Sequence, residues 1–255
     1  VNSGSSANLV IVNLMKELYG WRDGDEVLVP AVTWVTNISP VTQSGLKPVF
    51  VDVNLADFSF DYDELAAKIN LRTRAIFVTH LIGFPADIAR IKNIIGQRDI
   101  KIFEDCCESH GATLGGEKIG NLGLVSSFSF YWGHHMTSVE GGMICTDDEK
   151  IYKQAVLKRS HGLARELPVS YHQAYKEQNQ DIDFNFLFLP DGFNFRNTEF
   201  NAVLALSQIK RLDDYIRIRK RNHERFLEIL GAHRDHLLLS DKEGISPFCL
   251  PFFLH

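Results

Sequence analysis

Short apolar runs rich in β-branched residues alternate with amphipathic stretches along most of the chain. The apolar runs predict buried strands at residues 26–30, 48–53, 75–79, 101–105, 125–131 and 142–146. The amphipathic stretches predict helices at residues 5–19, 34–44, 62–69, 87–95, 150–160 and 198–230. Strands that alternate with helices in this way indicate an α/β layer fold with a mostly parallel central sheet. Asp61 is placed to cap the third helix, with Glu64 in the capping-box position.

Composition excludes several classes of partner. The net charge of the 255-residue chain is −5, which gives no electrostatic footprint for nucleic acid. No apolar run approaches the roughly 20 residues of a membrane span, and no signal peptide is visible, so we expect no membrane partner and a cytoplasmic location. The four cysteines lack the C-x-x-C spacing of a metal site, so we expect no metal.

Two regions stand apart from the regular alternation. Residues 164–195 are rich in Asn, Asp, Gln and Phe and are predicted to be an irregular functional loop that contacts substrate or a partner subunit. A new apolar run begins just before the chain stops at PFFLH. We therefore expect a large domain at 1–230 and the start of a truncated C-terminal small domain at 231–255.

Candidate ligand-binding residues follow the predicted strands, where ligands of open α/β sheets bind. Residues 2–6 (NSGSS) open the first helix and predict a phosphate site or simply a serine-rich N-cap. Asp105 ends a strand and predicts either the partner of a protonated ring nitrogen or else an N-cap or a loop salt bridge. Trp34 predicts either stacking on a flat ring or core packing.

Eight motifs occur in a fixed order: NSGSSA, VPAVTWV, KPVFVDV, HLIGFPADI, FEDCCESHGA, SFSFYWGHHMTSVEGGM, RSHG and GFNFRNTE. Over residues 1 to about 221 this order resembles the sugar aminotransferases of the DegT/DnrJ/EryC1/StrS family, which use pyridoxal phosphate (PLP). The resemblance implies an aspartate aminotransferase-like three-layer domain (PLP fold type I). It also implies a homodimer with active sites shared between the subunits.

The resemblance assigns roles to single positions. It implies that Gly4, Ser5, Ser6 and Ser129 bind the cofactor phosphate, that Trp34 stacks on the pyridine, and that Asp105 pairs with its nitrogen. It further implies that Asn194 reaches the phosphate of the neighbouring subunit, and that His161 and Arg196 line the substrate side. Glu108 stands near the ring hydroxyl where the family more often has Gln or His. That departure leaves two roles open, acceptance of a hydrogen bond from the hydroxyl and repulsion of a phenolate.

His134 occupies the position of the lysine that binds PLP in this family. A lysine amine holds PLP as an imine, whereas an imidazole only moves protons. Three interpretations follow: a cofactor-binding protein without activity, an aminotransferase that uses another lysine such as Lys118, and a C-3 dehydratase. The pair His134-His135 followed by Met136 resembles the branch of the family that has His in place of Lys and deoxygenates nucleotide sugars.

The dehydratase interpretation implies a defined set of partners. PLP and its amine form, pyridoxamine phosphate (PMP), would bind non-covalently, and L-glutamate would supply the amine. The substrate would be a nucleotide-linked 4-keto-6-deoxy sugar in deoxysugar and O-antigen biosynthesis, and ammonia would be released. His134 would be the catalytic base, with His135 structural. A related branch has an iron–sulfur cluster on clustered cysteines, but here no cysteine lies between Cys145 and Cys249. The reductase-independent reaction is therefore favoured.

Overall fold

A computed structural model describes residues 1–233, 237–238, 242–251 and 253–254. The strands are β1 Glu26–Pro30, β2 Lys47–Val51, β3 Thr73–Thr79, β4 Lys101–Asp105, β5 Thr113–Leu114, β6 Glu117–Lys118, β7 Val125–Ser129, β8 Gly142–Cys145, β9 Leu237–Leu238 and β10 Phe253–Leu254. A six-stranded sheet has the order β2-β1-β3-β4-β7-β8. All its neighbours are parallel except β8, which is antiparallel to β7. The predicted mostly parallel α/β fold is confirmed.

Helices cover both faces of this sheet. The helices are α1 Gly4–Leu18, α2 Ser39–Gln43, α3 Tyr62–Lys68, α4 Ile88–Ile95, α5 Glu149–Lys158, α6 Val169–Gln178, α7 Glu199–Ile209 and α8 Leu212–Leu230. Val27 and Val29 of β1 pack in one apolar cluster with α1 and α5, while Leu28 packs in a second cluster with α3 and α4. Because successive side chains of a strand point to opposite faces, the sheet is the middle of three layers.

The start of α3 shows how local sequence fixes an element. The Asp61 carboxylate accepts hydrogen bonds from the backbone N–H of Asp63 at 3.0 Å and of Glu64 at 2.9 Å, so the predicted N-cap is confirmed. The Glu64 side chain does not return to the cap. It accepts instead from the backbone N–H of Asp52, just after β2, and so ties the helix to the sheet.

Several predicted boundaries are wrong. The helix predicted at 34–44 is a 3₁₀ turn, Val35–Asn37, followed by α2, because Pro40 has no N–H and cannot continue an earlier helix. The helix predicted at 198–230 is divided into α7 and α8. The loop predicted at 164–195 contains α6, which has no buried residue and therefore lacks the apolar periodicity that reveals a helix.

The predicted small domain at 231–255 is described only in part, since residues 234–236, 239–241, 252 and 255 lie outside the described residues. The segment 242–251 packs against the turn that follows β3. The backbone N–H of Ser246 donates to Gly83 at 2.9 Å, and that of Phe248 donates to Ile82 at 3.0 Å. Within the described residues, no helix is long and apolar enough to cross a bilayer.

Candidate active site

A cleft of about 510 Å³ lies at the carboxyl ends of β1, β3, β4 and β7 and at the N-terminus of α1. This is the edge at which parallel sheets bind their ligands. The cleft contains most of the residues that the sequence singles out: Gly4, Ser5, Trp34, Asp105, Glu108, Ser129 and His134. The predicted strands therefore bring these distant positions together.

The N-terminus of α1 forms one wall of the cleft. A Cβ atom on Gly4 would lie 2.7 Å from the Ser129 Cβ and 2.9 Å from the Cys107 Sγ, so only glycine allows the helix to start this close to β7. The first turn therefore presents its free N–H groups beside the Ser129 hydroxyl, an arrangement that favours an anion. Ser6 does not line the cleft, because its N–H and hydroxyl both bond to Ser3, each at 3.0 Å.

Asp105 is a buried carboxylate that only neutral groups contact. Its Oδ2 accepts hydrogen bonds from Asn8 Nδ2 at 2.8 Å and Asn37 Nδ2 at 2.9 Å, and its Oδ1 accepts from the Cys107 N–H at 3.0 Å. It forms no ion pair with any described residue, so the predicted structural salt bridge is absent from this part of the chain. A buried charge is costly without an opposite charge. Asp105 therefore fits a cationic group such as a protonated pyridine nitrogen.

Trp34 and Glu108 face the same cleft. Trp34 is 66% exposed, so its indole is not held in the core and is free to cover a flat ring. Glu108 Oε2 accepts the backbone N–H of Ile82 at 2.9 Å. Burial raises the pKa of Glu108; the hydrogen bond from Ile82 opposes this rise, and the charge of Asp105 adds to it. Glu108 is thus easier to protonate than an exposed carboxyl, and in its protonated form it would share a hydrogen bond with a ring hydroxyl without repulsion.

His134 lies in the wall of the cleft, in the segment that follows β7. Its backbone N–H donates to the Tyr131 carbonyl at 3.1 Å, and its ring lies 5.7 Å from that of Phe248. Burial lowers the pKa of His134, and the Asp105 carboxylate opposes only part of that shift. The imidazole is therefore neutral at neutral pH and can accept a proton.

No lysine is among the described residues that line the cleft. Lys118, the alternative that the sequence left open, lies exposed in the β5–β6 hairpin and is not one of those residues. The geometry of a single chain therefore gives no support to an imine at Lys118.

Three further predicted residues lie outside the cleft of this chain. Asn194 pairs with Ser160 in an isolated β-bridge, and its Oδ1 accepts a hydrogen bond from Arg196 at 3.3 Å. Arg196 also forms an ion pair with Glu166 at 3.5 Å. His161 is held in the left-handed region with φ 60°.

Residues 1–249 match the sequences described as the DegT/DnrJ/EryC1/StrS aminotransferase family. The chain belongs to this family. Particular members of the family are similar to this chain over most of its length. The GDP-4-keto-6-deoxy-D-mannose 3-dehydratase of Yersinia pseudotuberculosis is 37% identical over 235 residues, 91% of this chain and 60% of that protein. The chain thus spans about 60% of the length of this curated relative.

Solved structures of members of the DegT/DnrJ/EryC1/StrS family are also similar to this chain. A crystal structure of GDP-4-keto-6-deoxymannose-3-dehydratase with a trapped PLP-glutamate geminal diamine matches all of this chain and 67% of its own, with a TM-score of 0.90 and 34% identity. A relative with a different name matches as well. The GDP-perosamine synthase of Escherichia coli O157:H7 is 30% identical over 83% of this chain and 53% of its own length.

Several residues that line or support the cleft were not predicted from the sequence. Asn8 and Asn37 hold Asp105, and Phe248 closes the side next to His134. A usable signal existed for Asn8, because it is a lone polar side chain on the buried face of α1. Phe248 gave no such signal, since its position depends on the docking of segment 242–251.

Proposed function

We propose that this chain forms the cofactor-binding part of an enzyme that removes the C-3 hydroxyl from a nucleotide-linked 4-keto-6-deoxy sugar. One observation carries the proposal: the cleft presents His134, while no described lysine lines it. An imidazole moves protons but does not hold an aldehyde as an imine. The similarity to GDP-4-keto-6-deoxymannose 3-dehydratases supports the same reaction.

The residues of the cleft suit PLP and PMP held without a covalent bond. The N-terminus of α1, with Ser5 and the Ser129 hydroxyl, would bind the phosphate. Asp105 would keep the ring nitrogen protonated, and Trp34 would cover one face of the ring. Ser6 would support the first turn of α1 rather than contact the phosphate, because its N–H and its hydroxyl both bond to Ser3. When bound, the cofactor supplies the electron sink that lets a C–O bond break next to the former ketone.

His134 would perform the proton transfers of the reaction. Its low pKa keeps the ring neutral, so it can remove a proton from the cofactor's C4′ carbon. The protonated ring can then give that proton to the departing C-3 hydroxyl, so no second base is needed. A base placed in this way accelerates a reaction by roughly 10²–10⁴.

The substrate proposal follows from the relatives. We propose a nucleotide sugar with a C4 ketone, first of all the GDP-linked one that names the Yersinia pseudotuberculosis relative. L-glutamate would supply the amine, as the PLP-glutamate adduct in the solved structure suggests. His161 and Arg196 would contact substrate from outside the single-chain cleft. A cytoplasmic location fits the supply of these substrates.

A homodimer would complete the site. Helix α7 has no buried residue, and its apolar side chains Phe200, Val203, Leu206 and Ile209 are exposed. An exposed apolar helix face of this kind is typical of an interface. Asn194 lies outside its own cleft, which agrees with a role in the cleft of the other subunit.

The deciding experiment incubates the protein with PLP, L-glutamate and GDP-4-keto-6-deoxymannose. Formation of ammonia and a 3-deoxy sugar supports the dehydratase, and an amino sugar supports an aminotransferase instead. His134→Asn should abolish dehydration while PMP still binds. His172→Asn is the matched control, since His172 lies in α6 and is not among the residues that line the cleft. Full turnover by His134→Asn would exclude His134 as the base.

A further inference from the structure

Three histidines cluster behind the cleft. The ring of His110 lies 6.3 Å from that of His134 and 5.7 Å from that of His135, measured between centroids. His110 follows β4, whereas the other two follow β7. Two strands therefore bring a second and a third imidazole to the back of the proposed base.

Four ring nitrogens of this cluster are buried without a hydrogen-bond partner among the described residues. They are both nitrogens of His110, Nδ1 of His134 and Nδ1 of His135. An unpartnered buried polar atom costs about 1–3 kcal/mol, and native proteins contain few of them. The three rings do not hydrogen-bond to one another in this structure, but each lies beside another imidazole, and small ring movements would bring their nitrogens together.

The rings do not form a metal site. Among the described residues, the group whose ligand atoms converge closely enough for an ion is His80, Glu104 and Cys106, and none of the three clustered histidines belongs to it. His80 and Glu104 are moreover bonded to each other at 3.0 Å. The three clustered imidazoles therefore need a different explanation from metal binding.

Ser246 sets the direction of the hydrogen bonds. Its carbonyl oxygen lies 3.0 Å from His135 Nε2, and because a carbonyl only accepts, that nitrogen carries the proton. His135 Nδ1 is then bare and can only accept. In a chain of bonds among the rings, His110 would donate to it with one nitrogen, which would leave the other nitrogen of His110 as an acceptor. The remaining donor would be His134 Nδ1, so that nitrogen would carry the proton and Nε2 would be bare.

This arrangement requires all three rings to be neutral. Burial, together with the neighbouring His135 and His134, lowers the pKa of His110 to about 3. Burial and the charge of Arg219 lower the pKa of His135 to about 4. His134 is also kept neutral by burial, against the opposing charge of Asp105. The cluster is thus uncharged at neutral pH.

We propose that His110 is a positioning residue, which holds His134 in the tautomer with a protonated Nδ1 so that Nε2 is the nitrogen that accepts the substrate proton. This inference rests on the proposed function of His134 as a base. The centroid separations are somewhat longer than direct bonds between rings require. Catalytic hydrogen bonds are often long before substrate is bound and tighten afterwards.

The first test measures the tautomer directly. In ¹⁵N-histidine-labelled protein without cofactor, the His134 resonances are assigned by their loss in His134→Asn. We expect a protonated Nδ1 in the wild type and loss of that preference in His110→Phe, which keeps the ring volume but removes both nitrogens. A wild type with protonated Nε2, or an unchanged tautomer in His110→Phe, overturns the proposal. Should His110→Phe fail to fold, His135→Phe removes the acceptor of His110 and gives the same expected loss.

The second test separates positioning from packing. His110→Phe should lower kcat about 10- to 100-fold with little change in KM, the usual effect of losing a group that orients a functional imidazole. His110→Asn keeps one donor and one acceptor and should retain more activity. Equal losses in both variants indicate packing alone and overturn the proposal. If the tautomer is as expected but the wild type dehydrates no sugar, the proposed function fails while the positioning role stands.

Discussion

Asn37 Nδ2 donates a hydrogen bond to Asp105 Oδ2 at 2.9 Å, and both residues are buried at the carboxyl edge of the sheet. Asn8 donates to the same oxygen from α1. Neutral donors orient the carboxylate without cancelling its charge, so its attraction for a cation is kept. Sites for protonated ring nitrogens require this combination of fixed orientation and available charge.

The first prediction concerns this charge. Asp105→Asn should raise the dissociation constant of PLP about 10- to 100-fold, because a hydrogen bond to a charged group contributes about 1.5–3 kcal/mol. Titration of PLP followed by absorbance measures the effect. Asp63→Asn, an exposed carboxylate of α3, is the control and should leave the affinity unchanged. Equal affinity of Asp105→Asn and the wild type would show that the ring nitrogen lies elsewhere.

The second prediction tests the stacking role of Trp34. Trp34 is 66% exposed, and Trp132, which is 68% exposed, is not among the residues that line the cleft. Trp34→Ala should weaken PLP binding roughly 2- to 13-fold, the equivalent of about 0.5–1.5 kcal/mol for one aromatic contact. Trp132→Ala is matched in size and exposure and should have no effect on PLP. Similar effects of both variants would argue against stacking on Trp34.

The third prediction restores the covalent anchor. In His134→Lys an amine reaches the position from which the family's lysine binds PLP. Treatment with PLP and borohydride should then add one reduced cofactor per chain, detected by mass spectrometry at residue 134. His172→Lys and the wild type should show no such specific adduct. Absence of the adduct in His134→Lys would mean that residue 134 does not face the cofactor aldehyde.

The sequence predicted the cleft residues at strand ends well, because parallel strands bring their carboxyl ends to one edge. Asp105 and Trp34 needed only the strand order, whereas Ser129 was singled out by the family resemblance. Glu104 shows the limit of this reasoning. It reads as an ordinary polar residue of β4, yet it is buried and bonded to His80 and to the N–H of Gly120. Those partners come from other elements, so no local pattern reveals them.

The fourth prediction concerns acid stability. The pKa of His110 is about 3 in the folded protein and about 6.5 in an unfolded chain. Below pH 6.5 the unfolded state therefore binds more protons, so this residue makes stability fall as pH falls from 6.5 towards 3. His110→Phe removes this contribution. As the pH is lowered from 7.5 to 5.5, the free energy of unfolding of the variant should therefore increase by roughly 1 kcal/mol relative to that of the wild type, which means that the variant becomes relatively more stable.

Urea unfolding at the two pH values measures the shift in the fourth prediction. His134 and His135 also titrate in the cluster, so both are kept in the variant and in the wild type. His172→Phe, outside the cluster, should show no such pH-dependent gain. A constant difference between His110→Phe and the wild type at both pH values would show that His110 is readily protonated in the folded protein.

The last prediction concerns assembly. Phe200 of α7 is 86% exposed, and a charge at the centre of an apolar interface has to be desolvated when the interface forms. Phe200→Asp should therefore convert a dimer into monomers, measured by light scattering or sedimentation. Leu71→Asp is the control, because Leu71 is 96% exposed and lies in the turn before β3. If the sites are shared, the Phe200→Asp monomer also loses PLP affinity, since Asn194 no longer reaches a second cleft. A Phe200→Asp dimer with full PLP affinity would place the interface on another face.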